Sequence, residues 1–275
     1  RFWTVERDGD AYVTNRTDVR DDDAVHLMAT PWDADTGMVL PNTGLSVDIT
    51  RGGDLVTQEV IYPMLSQRMG FHYGANFPLD GDGTYDVTVS VGGVSIPRYG
   101  AFEGRFGAGD EATIAFEFSS ESLSEIPYRQ IDDRRFQPGA VEPMSMDALP
   151  TGSAPDPLPG ATLGRGESGD AAFVGSVVTD DRFGPDPYLA VSARTPYNGL
   201  VIPGMGVSAS IDAGDPIALD AAIDPELGFH YGRTVAGLTA SSIVEVTVDV
   251  PPQVARHVGY ETAFLEMPPF EFDAA

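Results

Sequence analysis

The sequence contains no cysteine and few basic residues. Without cysteine the chain has neither disulfide bonds nor thiolate metal ligands, so a soft metal site would have to be built from histidine and methionine. Only 16 Lys and Arg residues stand against 42 Asp and Glu residues, and the formal net charge is −26. Such a chain repels nucleic acid and anionic lipid, which excludes both as expected partners. No apolar run approaches the length of a membrane span.

The acidic residues are spread among apolar ones rather than massed in one block. Because 42% of the residues are hydrophobic, the chain can bury a real core and is not a disordered acidic tail. An acidic surface with few lysines is expected of a protein kept soluble in very high salt, and we predict a haloarchaeal source. The chain begins at Arg1, and Asn15 opens a glycosylation sequon. We therefore expect an extracellular, cell-surface lipoprotein whose N-terminal anchor has been removed or lies outside this sequence.

The apolar residues alternate with polar ones in several short segments. Clear examples are "YDVTVSV" (85–91) and "IVEVTVDV" (243–250), and Gly, Pro, Asn and Asp separate such segments at short intervals. Helical periodicity is confined to one stretch, 119–136. The pattern predicts an all-β chain folded as β-sandwiches.

The chain repeats itself. "TGMVLPNTGLSVDI" (36–49) aligns with "NGLVIPGMGVSASI" (198–211), and "GFHYG" occurs unchanged at 70–74 and 228–232. Further blocks follow in the same order, which indicates a tandem duplication. We predict two immunoglobulin-like β-sandwich domains joined by a Pro/Gly-rich linker: a first repeat over 1–120, the linker over 121–167 and a second repeat over 168–275.

Motifs for other chemistries are weak. No G-x-S-x-G, H-E-x-x-H or Ser/His/Asp pattern is visible, so we predict that the protein is not an enzyme. "DGDG" (80–83) resembles the start of a calcium loop, but Val91 stands where the loop needs its twelfth-position Glu. A hairpin turn is the favoured interpretation of that segment.

Each repeat resembles a known family of metal-binding proteins. The segments "VHLMAT", "MLSQRMGFHYGAN", "GTYDVTV" and "PPQVARH" are similar to those of the periplasmic ferrous-iron transport proteins, which are immunoglobulin-like and accompany high-affinity iron permeases. The resemblance implies a bound copper or iron ion and, as partner, an iron permease or other membrane transporter. It also implies a ligand set of a strand histidine, a methionine, the HYG histidine and a histidine after Pro-Pro.

The ligand positions are divided unequally between the repeats. The first repeat supplies His26, Met64 and His72, with Met28 in place of the family's Glu two residues after the first histidine. The second repeat supplies His230 and, after Pro-Pro, His257.

Self-alignment places a different residue opposite most of these ligands. His26 falls opposite Tyr188, Met64 opposite Ala222, and His257 opposite Tyr99. If each repeat built its own site, both sites would be incomplete.

An intrachain pseudo-dimer that exchanges the late ligand would resolve this asymmetry. One site would then collect His26, Met64, His72 and His257, and the other would be degenerate. The sequence predicts a protein that holds an ion and delivers it to a membrane transport system. The alternative is a structural or interaction β-sandwich of the cell surface with no bound metal, because a histidine flanked by Phe and Tyr is often simply packed in a core.

Overall fold

The computed structural model describes residues 1–125, 141–144 and 149–273. The first repeat contains eight strands, namely β1 Phe2–Asp8, β2 Ala11–Thr17, β3 Asp23–Ala29, β4 Leu45–Arg51, β5 Asp54–Ser66, β6 Gly70–Pro78, β7 Gly83–Val91 and β8 Asp110–Phe118. The second repeat contains nine, namely β9 Ala161–Ser168, β10 Ala171–Val178, β11 Tyr188–Arg194, β12 Gly206–Ile211, β13 Ile217–Asp224, β14 Gly228–Thr234, β15 Val244–Val250, β16 Ala255–Arg256 and β17 Phe270–Glu271.

Helical structure in the described residues is limited to short elements. A five-residue helix, α1, spans Ser120–Ser124 and is capped by the Ser119 side chain, which accepts a hydrogen bond from the Ser122 N–H. Two 3-10 turns lie at Gly100–Phe102 and Asp181–Phe183. The remainder of the predicted helical stretch, from residue 126, lies outside the described residues. None of the described helices is long and apolar enough to cross a membrane.

The two repeats share the order of six strands, although their N-terminal hairpins join differently: β1 pairs with β16 of the other repeat, whereas β10 pairs with β11 of its own. In the first, the hydrogen-bonded path runs β3-β6-β5-β4-β7-β8, and in the second it runs β11-β14-β13-β12-β15-β17. Alternation explains which face is buried: Leu45, Val47 and Ile49 point from β4 into the core, while their neighbours face outward. The predicted all-β class and the tandem duplication are therefore confirmed.

Each repeat extends a short segment into the sheet of the other. Strand β16 of the second repeat lies between β1 and β5 of the first, antiparallel to β1 and parallel to β5. In the reciprocal contact, Arg98 of the first repeat forms a parallel bridge with Ile223 of β13. One continuous hydrophobic core contains residues of both repeats. These crossing segments make the chain an intrachain pseudo-dimer.

The second repeat begins earlier than the sequence predicted. The sequence predicts a linker over 121–167, but residues 161–168 form strand β9, which pairs with β10. Upstream, Ala154 donates its backbone N–H to the carbonyl of Gly199, and Val201 donates to Gly152. Glycine-rich sequence (ATLGRGES) hid this strand, because Gly164 and Gly166 supply no apolar side chains to the alternation. Those glycines let the chain pass close to Asp273 and Phe270.

Candidate metal centre

Three of the predicted ligands lie on the outer face of the first repeat's sheet. Met64 and His72 are direct partners across β5 and β6, and His26 of β3 stands opposite Asn76 of β6. Alternation sends Phe71 and Tyr73 to the opposite face, where they pack in the core. Two imidazoles and one thioether thus lie on the same face of the sheet, the face opposite to that of Phe71 and Tyr73.

The fourth ligand is carried in by the second repeat. Strand β16 pairs Ala255 with Met64, and His257, the next residue after the strand, donates its backbone N–H to the carbonyl of Leu65 at 3.0 Å. The fully buried Arg256 guanidinium donates to the carbonyls of Pro252 and Ala263, which fixes the crossing segment. A backbone ladder therefore determines where His257 stands.

The four side chains converge on one point. The ring centroid of His257 lies 4.9 Å from that of His26 and 5.7 Å from that of His72. A methyl group placed on Gly74 would stand 3.1 Å from His26 Nε2 and 3.2 Å from Met64 Sδ, so these two atoms face the same space. The structure brings together all four residues that the sequence selected.

Hydrogen bonds on the far side of two rings orient the imidazoles. His72 Nδ1 donates to the carbonyl of Gly70 at 3.0 Å, and His26 Nδ1 lies 2.8 Å from Asn76 Oδ1. Because an oxygen can only accept from these nitrogens, the protons sit on Nδ1 and the lone pairs on Nε2 point inward. Three ring nitrogens, His26 Nε2, His72 Nε2 and His257 Nδ1, are buried and have no hydrogen-bond partner among the described residues.

Burial keeps the three imidazoles neutral at pH 7. It lowers the pKa of His72 to about 4 and that of His257 to about 3, and it also lowers the pKa of His26. The charged form loses solvation in this site, and the neighbouring imidazoles would repel a second positive charge. Neutral imidazole is the form that binds metal ions.

The site differs from a site of ionised ligands. Among the described residues, no group of three or more His, Asp or Glu side chains is arranged so that it could hold a metal ion as it stands. The arrangement here adds the thioether of Met64 to three imidazoles, and Phe2 and Ala255 pack against that methionine.

The second repeat builds the same frame with other residues. Ala222 of β13 pairs with His230 of β14 as Met64 pairs with His72. Tyr99, carried by the first repeat's crossing segment, donates its N–H to the carbonyl of Ile223 at 3.0 Å, the counterpart of the His257 bond. We call Tyr99, Tyr188, Ala222 and His230 the degenerate site.

In the degenerate site, both ring nitrogens of His230 have hydrogen-bond partners. The Tyr188 hydroxyl lies 3.0 Å from His230 Nε2, and His230 Nδ1 lies 3.0 Å from the carbonyl of Gly228. Since Nδ1 donates to the carbonyl, Nε2 accepts from the tyrosine. Both ring nitrogens of His230 thus have hydrogen-bond partners. In His72, Nδ1 is hydrogen-bonded and Nε2 has no partner among the described residues.

Sequence reasoning missed the residues that support the ligands. These are Asn76 behind His26, the Gly70 carbonyl behind His72, and Gly74, where a side chain would crowd His26 Nε2 and Met64 Sδ. The repeated pentapeptide "GFHYG" contains both glycines. Its first glycine, Gly70, provides the carbonyl that accepts from His72, and its last glycine, Gly74, lies close to His26 and Met64. The acidic "DGDG" segment is the β6–β7 turn, in which the carbonyls of Asp80 and Asp82 accept from Arg51.

Comparison with known proteins places the chain in a family without assigning it a chemistry. No curated protein and no solved structure matches it. One family model matches twice, over residues 4–115 and 156–273, in agreement with the two repeats of the structure. The chain therefore belongs to the family described as a domain of unknown function (DUF7350), and it carries two copies of that domain in tandem.

Proposed function

We propose that this protein binds one copper or iron ion through His26, Met64, His72 and His257 and delivers it to a membrane transport system. The observation that carries the proposal is the set of three buried ring nitrogens without hydrogen-bond partners around one point. Leaving a buried polar atom unpaired costs about 1–3 kcal/mol, so three together favour a ligand that satisfies them.

The degenerate site supports the same proposal as an internal comparison. There Tyr99, Tyr188 and Ala222 stand at three of the four positions, and the Tyr188 hydroxyl lies 3.0 Å from the Nε2 of the remaining imidazole, His230. Where all four positions are filled, no group in the part of the chain that the structure describes fills that role for His72. A simple packing histidine would be expected to be satisfied in both repeats.

The donor set favours copper(I) over ferrous iron. All four ligands are neutral, so a divalent ion would carry two uncompensated charges into a buried site, while copper(I) carries one. A thioether is also a soft ligand that suits copper(I). Ferrous iron is the second candidate, because imidazole binds it as well.

The biological setting is part of the proposal. The resemblance to ferrous-iron transport proteins supports immunoglobulin-like repeats, an iron permease or other transporter as the partner, and an extracellular location at the cell surface. The acidic composition supports a high-salt, haloarchaeal environment. Binding and release, rather than catalysis, would be the whole activity.

Metal loading of the purified protein tests the proposal. The chain is loaded anaerobically with copper(I) or ferrous iron in separate samples, desalted, and analysed for metal and protein. We expect one ion per chain, with copper(I) retained more strongly than iron. Protein that retains neither ion would favour the alternative, a structural or interaction β-sandwich protein.

A further inference from the structure

The N-terminal hairpin, β1–β2, lies on the crossing segment that carries His257, with Trp3 of β1 opposite Arg256 of β16. We propose that this hairpin supports the site proposed above: the pairing of β1 with β16 positions His257, and the ring of Phe2 keeps water away from Met64. This inference rests on the proposed function and adds the residues outside the ligand set that hold its fourth member in place.

The same hairpin occurs in both repeats but pairs differently. Its turn contains Gly9-Asp10 in β1–β2 and Gly169-Asp170 in β9–β10, and the two glycines have positive φ values of 62° and 54°. In the second repeat β10 pairs with β11, and the Asp170 carboxylate accepts a hydrogen bond from the backbone N–H of Phe264 at 3.1 Å. In the first repeat no described strand pairs with the free side of β3, the counterpart of β11. The β1–β2 hairpin therefore contacts the other repeat where its counterpart contacts its own.

The residues of β2 explain why this hairpin is not packed into the core of the first repeat. When the two hairpins are aligned on their shared Gly-Asp-Ala turn, Val13 and Thr17 stand at the positions of Phe173 and Val177. Phe173 and Val177 are buried in the hydrophobic core, whereas Val13 is 39% exposed. Because β2 has smaller or more polar side chains at these positions, it would bury less apolar surface beside β3. The hairpin is thereby available for a different contact.

Phe2 is the residue through which the hairpin covers the site. It packs against Met64 and Ala255, and all three side chains are buried. The ring centroid of Phe2 lies 6.5 Å from that of His26 and 5.2 Å from that of Tyr62. The thioether of Met64 is thus screened from water on the side of the hairpin. An apolar shell of this kind controls solvent access to a metal site.

The hairpin also constrains the strand that precedes His257. Strand β16 consists of only two residues, Ala255 and Arg256, and it lies between β1 and β5. His257 follows directly and donates its backbone N–H to the carbonyl of Leu65. Without β1, β16 would be a two-residue edge strand with unpaired backbone groups on one side. The position of His257 therefore depends on the first repeat from two directions.

The degenerate site is supported in another way. Its crossing segment bridges Arg98 to Ile223, and in the described part of the chain no strand pairs with the other side of that segment. The aromatic ring that covers it is Phe183, from the connection between β10 and β11. The ring centroid of Phe183 lies 4.7 Å from that of Tyr99 and 4.1 Å from that of Tyr188. Among the described residues, the hairpin support occurs beside the proposed ligand set and not beside its counterpart.

Amide hydrogen exchange of the full, metal-free chain tests the positioning of His257. Phe2→Ala removes the ring that packs beside β16, Phe2→Leu keeps an apolar side chain there, and Val13→Ala, in the outer strand of the same hairpin, is the matched control. The internal reference is the N–H of Tyr99, which makes the counterpart bond in the degenerate site. We expect Phe2→Ala to reduce the protection of the His257 N–H about tenfold relative to that of the Tyr99 N–H. Phe2→Leu and Val13→Ala should leave this ratio close to that of wild type.

A competition titration of copper(I) against a chromogenic chelator gives the second readout. We expect Phe2→Ala to weaken the copper(I) affinity about tenfold, while Phe2→Leu and Val13→Ala stay within about threefold of wild type. Protection of His257 that changes only in step with that of Tyr99, or an unchanged copper(I) affinity in Phe2→Ala, would overturn the support and leave the proposed function intact. Wild-type protein that binds no copper(I) would overturn the proposed function itself, and the exchange ratio alone would then decide whether the hairpin positions His257.

Discussion

The imidazole rings of His72 and His257 lie 5.7 Å apart although they belong to different repeats. His72 is fixed by its own sheet, and His257 is fixed by a backbone bond to Leu65 on that same sheet. The late histidine of the second repeat thereby completes the proposed ligand set of the first. Neither repeat contains this set by itself.

The composite site predicts an unequal response to histidine substitutions. His257→Ala and His72→Ala should each reduce the bound copper(I) from about one ion per chain to near zero, because each removes one of three nitrogen ligands. His230→Ala is the matched control, since His230 is held by Tyr188 and Gly228 and faces the degenerate site. Metal analysis after desalting measures the content. Equal losses in all three variants would contradict the composite site.

The degenerate site should regain a ligand set by substitution. Tyr99→His, Tyr188→His and Ala222→Met together reproduce, in the same register, the residues of the complete site. Replacing Tyr188 removes the hydroxyl that satisfies His230 and also frees volume for the larger Met. We expect the triple variant to bind about two copper(I) ions per chain. A folded triple variant that still binds one ion would show that the second frame cannot hold metal.

The hydroxyl of Tyr188 should contribute to stability. Tyr188→Phe leaves His230 Nε2 buried and unpaired, and we expect the free energy of unfolding to fall by about 1–3 kcal/mol. Tyr197→Phe, at a side chain that is 61% exposed, is the control and should change stability by less than about 0.5 kcal/mol. Urea unfolding followed by circular dichroism measures both. Similar values for the two variants would argue against the Tyr188–His230 bond.

The metal-free protein should lose stability on acidification. Burial lowers the pKa of His230 to about 4 from its ordinary value of 6.5. Between these pH values the unfolded chain binds a proton that the folded protein does not, so stability falls as the pH drops from 6.5 to 4. His230 alone can account for about 3 kcal/mol. As the pH drops over this range, the unfolding free energy of wild type should therefore fall more steeply than that of His230→Phe, and parallel curves would contradict the assignment.

Arg256 should matter for both stability and metal binding. Its buried guanidinium donates to several carbonyls of the segment that carries His257, so Arg256→Met should leave those oxygens unpaired and destabilise the protein by about 1–3 kcal/mol. The metal affinity should fall with it, because His257 would be held less firmly. Arg98→Met removes the corresponding side chain in the first repeat, which donates to Val94. That control should affect stability without a comparable loss of metal affinity.

Much of the fold was accessible from local patterns. Alternation in 85–91 and 243–250 predicted strands β7 and β15, and the repeated "GFHYG" predicted matching strands in both repeats. The buried His72 with Phe71 and Tyr73 on the opposite face follows from strand geometry alone. The metal role of His26, Met64, His72 and His257 stays a prediction, although the structure places their side chains together.

Other features depend on contacts that no local pattern records. The extent of the second repeat was missed at β9, whose glycines are required by the close approach of Asp273 and Phe270. The unequal distribution of His and Tyr predicts that the late histidine is exchanged between the repeats, but it does not predict the pairing of β16 with β5.

The reciprocal crossing segments have a consequence for how the two halves can diverge. In an assembly of two identical chains, every substitution appears at both sites, so a change that closes one site closes the other. Within a single fused chain, Tyr188 could replace a ligand in one half while His26 was kept in the other. Because the two halves are covalently linked, they can differ in sequence, and the second half can contribute a single histidine, His257, to the proposed site of the first.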